Sequence, residues 1–143
     1  MLATFAAVDA KEKLKPTTNE FIIHNFGSPR PGNQAFTDYI MTLFPGNAFF
    51  RVVHSSDVVP HLPMTELGFN HAGNEVWYFN RDLDLSYKIC ENSVGTENQT
   101  CADTVPSYDA GQHMQYVGID LKAGWCSSDA RVIYKPTPTE FLQ

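Results

Sequence analysis

The sequence predicts an α/β fold with a mostly parallel sheet, and two patterns carry that prediction. Residues 20–26, 33–44 and 49–54 read in turn as strand, helix and strand, the order of a crossover unit, whose strands pair in parallel and almost always right-handedly. A helix rich in small residues precedes the unit, and two more strand-like runs follow it at 75–79 and 85–90. With 43% apolar and 18% charged residues over 143 positions, the composition is that of one globular domain.

Each element has a local reason. Leu2, Phe5 and Val8, with alanines at 3, 6, 7 and 10, give the first helix a small-residue side suited to a sheet; Lys11, Lys13 and Lys15 favour its negative end, and Pro16 stops it. Residues 20–26 are apolar enough to predict a buried strand, closed by the turn run Gly27-Ser28-Pro29-Arg30-Pro31-Gly32. Phe36, Tyr39, Ile40 and Leu43 recur at helical spacing, with Asn33 as the cap and Pro45-Gly46 as the terminator. The strand at 49–54 places Asp57 just past its C-terminal end, the edge where functional groups gather in open α/β sheets. Runs 75–79 and 85–90 read as a hairpin across a charged turn, and the polar stretch 91–111 is long enough for a loop to need a staple.

Sixteen acidic against ten basic residues give a net charge of −6, with no basic cluster beyond Lys11, Lys13 and Lys15, which argues against nucleic acid as a partner. No apolar run nears the roughly 20 residues that span a bilayer. Residues 1–10 lack the basic start of a signal peptide, and Asp9 interrupts them, so they read as helix. Cys90 and Cys101 bracket a polar, Asn-rich segment, which favours a loop-closing disulfide worth about 3 kcal/mol in an oxidising compartment. Asn98-Gln99-Thr100 in that loop is an N-glycosylation acceptor pattern. Cys126 is left over, either free or paired outside this chain.

The five histidines show no metal-ligand spacing, so no metal or cofactor is expected. His24 and His54 read as strand residues and His61 and His71 as turn residues, each satisfied locally. His113 differs, because Gly111-Gln112-His113 ends a long loop and leads into the apolar segment 114–119. A general base needs a firm mount and an acid to fix its tautomer, and Asp57 is the candidate acid. Spacing alone leaves the pairing open, since an aspartate after Ser55-Ser56 also suits a plain turn.

Three strings narrow the choice: Asn25-Phe26-Gly27-Ser28-Pro29-Arg30-Pro31-Gly32-Asn33, then Asp57-Val58-Val59-Pro60-His61-Leu62-Pro63, then Gly73-Asn74-Glu75-Val76-Trp77-Tyr78. Together they resemble the class 3, fungal-type lipases of the α/β-hydrolase fold, from about Leu2 to Cys126. The resemblance implies that Asp57 is the triad acid and that His113, in His113-Met114-Gln115-Tyr116-Val117-Gly118, is the triad base, with Val117 in place of the family's aromatic. It also implies a Cys90 to Cys101 disulfide and a partner for Cys126 upstream of Met1.

The family's nucleophile sits in G-x-S-x-G. No serine of this chain has glycine two residues away on both sides; Ser28, for example, stands between Phe26 and Arg30. The expectation is therefore the C-terminal part, residues 1–143, of one class 3 lipase-like domain, a partial and mostly parallel sheet with flanking helices and a disulfide-stapled loop. Its nucleophile segment and oxyanion hole would lie before Leu2. Implied are a secreted or endomembrane-lumen setting, acylglycerol or other lipid ester substrates at a lipid–water interface, and no activity for this chain alone. The competing readings are a non-enzymatic lipid- or protein-binding lipase relic and an unrelated disulfide-stapled domain.

Overall fold

A computed structural model describes residues 1–15, 21–81, 85–92 and 97–121. Cys126, Pro16 and most of the predicted charged turn lie outside these residues. The chain opens on helix α1 (Leu2–Leu14), which ends with Lys15 in the left-handed region at φ 40°. Then come strand β1 (Ile23–Phe26), short strand β2 (Gly32–Asn33), helix α2 (Gln34–Leu43) and strand β3 (Phe49–His54). Asn33 caps α2 as predicted, its side chain accepting from the Phe36 N–H. Short β4 (Phe69–Asn70), β5 (Asn74–Tyr78), β6 (Lys88–Cys90), β7 (Gln115–Tyr116) and β8 (Ile119–Asp120) complete the set.

The main sheet has the order β1-β3-β5-β6. β1 pairs with β3 and β3 with β5 in parallel, while β6 returns antiparallel to β5 as the predicted hairpin. The β1-α2-β3 crossover brings Phe26 level with Val52, so the chain after β1 and the chain after β3 leave the sheet side by side. β2 pairs with β4, and β7 with β8, as two-residue antiparallel ribbons. The loop after β6 is closed by the Cys90–Cys101 disulfide.

The core lies between the helices and one sheet face, where Ile40 of α2 and Phe44 just past its end meet Ala7 of α1, Phe49 and Ala72. Asn25 reaches across the same interface to the Thr4 hydroxyl at 3.4 Å. Two expectations need correction. The small-residue side of α1 is only partly used, since Thr4 and Ala7 are buried but Ala3 and Ala6 are exposed. Nor is β1 a buried strand: Phe26 is 51% exposed, because β1 is the last strand on its side of the described sheet and Phe26 faces away from the helices. That opposite face forms a shallow apolar hollow lined by Phe26, Phe50, Val52, Val76, Tyr78 and Ile89.

Candidate active site

Just past β3 the chain reverses. The Asp57 N–H bonds to the His54 carbonyl at 2.9 Å, and Ser55, at φ 46°, is held by its own N–H on the Tyr78 carbonyl and by the Trp77 indole N–H on its carbonyl. This tight turn carries Asp57 into a fully buried position at the sheet's C-terminal edge. Its carboxylate is served by three donors. The Val59 N–H reaches Oδ1 at 2.9 Å, while the His113 ring reaches Oδ2 from Nδ1 at 2.8 Å and the Tyr116 hydroxyl reaches the same oxygen at 2.5 Å. A buried carboxylate needs such partners, because leaving one unpaired costs several kcal/mol.

His113 rides on a short 3₁₀ turn, Ala110–Met114, capped by the Asp109 side chain on the Gly111 N–H. The segment is fastened to the aspartate's own strand end through the Asp109 N–H on the Ser56 carbonyl at 2.8 Å and a weaker contact of 3.4 Å from the His54 ring to the Gln112 carbonyl. Geometry fixes one ring nitrogen of His113: a carboxylate only accepts, so Nδ1 carries the proton. With Asp57 at 0% and His113 at 37% side-chain exposure, the acid is sealed and the imidazole opens toward solvent.

Tyr116 was not singled out from the sequence. Burial, followed by the nearby Asp57 charge and their hydrogen bond, pushes its phenol pKa up, so it stays a donor. Gly27 is the second residue missed. It sits at φ +56° after β1, and a methyl there would lie 2.7 Å from His113 Cε1 and 2.9 Å from the Tyr116 oxygen. Only glycine lets the β1 turn pass this close to both donors. The string Phe26-Gly27-Ser28 marked a turn, and its distant neighbours were invisible.

The expectation that the other histidines are satisfied locally holds only in part, because His61 and His71 also join separate segments. His61 bonds the Asp57 carbonyl from Nδ1 at 2.9 Å and lies 3.1 Å from the Asp103 carboxylate through Nε2. His71 reaches the Pro60 carbonyl at 2.7 Å, and burial, then the charge of Arg51, holds its pKa well below the usual value. Beside them Arg30 makes a paired ion contact with the shielded carboxylate of Glu97 at 2.7 and 3.0 Å, tying the turn after β1 to the stapled loop. Among the described residues no group of three or more His, Cys, Asp or Glu side chains could hold a metal ion.

Residues 1–67 match the lipase (class 3) family. The lipase of Rhizomucor miehei is 30% identical over 112 residues, 78% of this chain and 29% of that one. Secreted mono- and diacylglycerol lipase 1 of Fusarium solani is 33% identical over 98 residues, 67% of this chain and 29% of that one. A solved triacylglycerol lipase whose catalytic centre is a serine protease triad superposes with a TM-score of 0.73 at 29% identity, over 87% of this chain and 45% of that one. The chain thus spans less than a third of the length of these curated relatives. Its sequence strings, its sheet and these matches agree, and the chain belongs to the class 3 lipase family of the α/β-hydrolase fold.

Proposed function

We propose that this chain supplies the acid and base of a Ser-His-Asp ester hydrolase acting on acylglycerols or related lipid esters at a lipid–water interface, outside the cell or in the endomembrane lumen. The observation that carries the reading is the 2.8 Å bond between His113 Nδ1 and the sealed Asp57 carboxylate. In this scheme Asp57 fixes the tautomer of His113, leaving Nε2 free of a proton and turned toward the nucleophile. Nε2 takes the serine's proton as the hydroxyl attacks the ester carbonyl, and Asp57 stabilises the resulting imidazolium. The proton then passes to the departing alkoxide, and the same pair activates water to release the acid.

The serine and the oxyanion-hole donors belong, in our reading, to a segment N-terminal to Leu2, so that residues 1–143 form the C-terminal part of the catalytic domain. Three features support this. No G-x-S-x-G stands in the sequence; β1 ends the described sheet; and Leu2, at 85% exposure, and Phe5 and Phe26 leave apolar surface open on both sides of that edge. A strand and helices placed there would cover it.

The test has two arms. Purified 1–143 should not hydrolyse a short-chain acyl ester, since an acid and base without a nucleophile have nothing to activate. Joined behind a nucleophile-bearing segment from a class 3 lipase, it should hydrolyse the ester, and His113→Ala should abolish that turnover. Turnover by 1–143 alone, or a fused enzyme indifferent to His113→Ala, would refute the proposal.

A further inference from the structure

We infer that Asn98 carries an N-linked glycan, a modification that the ester-hydrolase scheme does not require. Asn98-Gln99-Thr100 is the only Asn-x-Ser/Thr triplet in the chain. Its conformation suits the attachment. The Asn98 Oδ1 accepts both from the Thr100 N–H at 2.9 Å and from the Thr100 hydroxyl at 2.8 Å, an Asx turn that pins the amide plane by its oxygen. On its nitrogen edge, Nδ2 donates to the Glu91 carbonyl at 3.0 Å in an exposed setting. Nδ2 has two hydrogens, and a glycosylated amide keeps one, so that bond can survive the modification.

The triplet is also held at both ends, with Asn98 half-buried and the two residues after it open. On one side Glu97 is locked to Arg30 and to the His71 N–H at 3.0 Å; on the other, Cys101 is in the disulfide and the Thr100 carbonyl accepts from the Lys88 ammonium at 2.9 Å. Gln99 and Thr100 are exposed. A glycan here would project beside Gln99, which lines a hollow with His61, Asp103 and Tyr108. In the transfer step the Asn98 Nδ2 bonds to the anomeric carbon of a lipid-linked oligosaccharyl pyrophosphate, the bond from that carbon to the pyrophosphate oxygen breaks, and the amide nitrogen gives up one proton as the lipid pyrophosphate leaves.

The inference rests on the lumenal or extracellular setting of the proposed function, and one experiment separates the two. The protein is isolated from its own source, and the peptide containing residue 98 is read by mass spectrometry before and after peptide-N-glycosidase, together with the oxidation state of Cys90 and Cys101. The expected result is a hexose and N-acetylhexosamine increment that the enzyme removes, leaving aspartate at that position. Expressed in the same host, Asn98→Gln and Thr100→Ala should lose the increment, while Thr100→Ser keeps it. An unmodified peptide in a chain with the disulfide formed overturns the glycan alone. An unmodified peptide with both cysteines reduced overturns the glycan and the secretory setting together.

Discussion

Replacing Gly27 with alanine should break the pairing of Asp57 with its two side-chain donors. The new methyl carbon would sit 2.7 Å from His113 Cε1, 2.8 Å from its Nδ1 and 2.9 Å from the Tyr116 oxygen. Nonbonded carbons rest about 3.5–4.0 Å apart, so the imidazole must retreat by about 1 Å. Both crowded groups donate to the same Asp57 oxygen, the histidine at 2.8 Å. Adding about 1 Å takes that bond past the roughly 3.2 Å limit of a good hydrogen bond. A misplacement of this size costs on the order of 10²-fold in rate. Alanine at φ +56° also adds about 1–2 kcal/mol of backbone strain. Gly46→Ala is the control, since Gly46 has φ +65° and nothing within 4 Å of its added methyl; it meets the same strain far from the pair. The assay is kcat/KM for a short-chain ester in the fused enzyme, with the Nδ1–H proton resonance of His113 as the structural readout. Gly27→Ala should lose both the rate and the low-field proton, and Gly46→Ala should lose neither. Activity of Gly27→Ala equal to that of Gly46→Ala would refute the reasoning.

Tyr116→Phe keeps the ring packing but removes one of three donors to a buried carboxylate, which should lower stability by about 1.5–3 kcal/mol in urea unfolding; an unchanged midpoint would show the bond to be dispensable. Glu97→Gln leaves Arg30, whose side chain is 4% exposed, with Asp103 at 3.6 Å as its remaining carboxylate, and the urea midpoint should fall by an amount equal to about 3 kcal/mol. His71 gives a pH prediction. Burial holds it neutral in the fold, whereas the unfolded chain protonates it below 6.5. Stability is therefore fully present above that pH and falls as the pH drops toward the folded-state value, by at most about 1.4 kcal/mol per pH unit for this one histidine. His54, whose pKa burial also lowers, adds in the same direction. Urea unfolding between pH 7 and pH 5 checks the sign, and His71→Gln should flatten the slope.

The parts of the architecture that were readable in advance are those with local causes. The β1-α2-β3 crossover follows from periodicity, from the Asn33 cap and from the Pro45-Gly46 stop. The Cys90–Cys101 closure follows from two cysteines around a polar run. The long-range contacts of the site needed more, because Tyr116 lies 59 residues from Asp57 and Glu97 lies 67 residues from Arg30; no spacing rule connects such pairs, and only the family strings brought His113 and Asp57 into one frame. The misreading of β1 has a different source. Residues 21–26 are apolar in composition, but composition does not say which neighbours cover a strand, and in the described sheet Ile22 and Phe26 meet none on their outer side.

The claim that Asp57 and His113 act as one unit is tested most directly by a double-mutant cycle on ester hydrolysis in the fused enzyme, using Asp57→Ala, His113→Ala and both together. Residues that share one proton-transfer step are strongly non-additive, so the double variant should be no slower than His113→Ala alone. Rate losses that simply multiply would mean that the two side chains touch without working together, and would contradict the account.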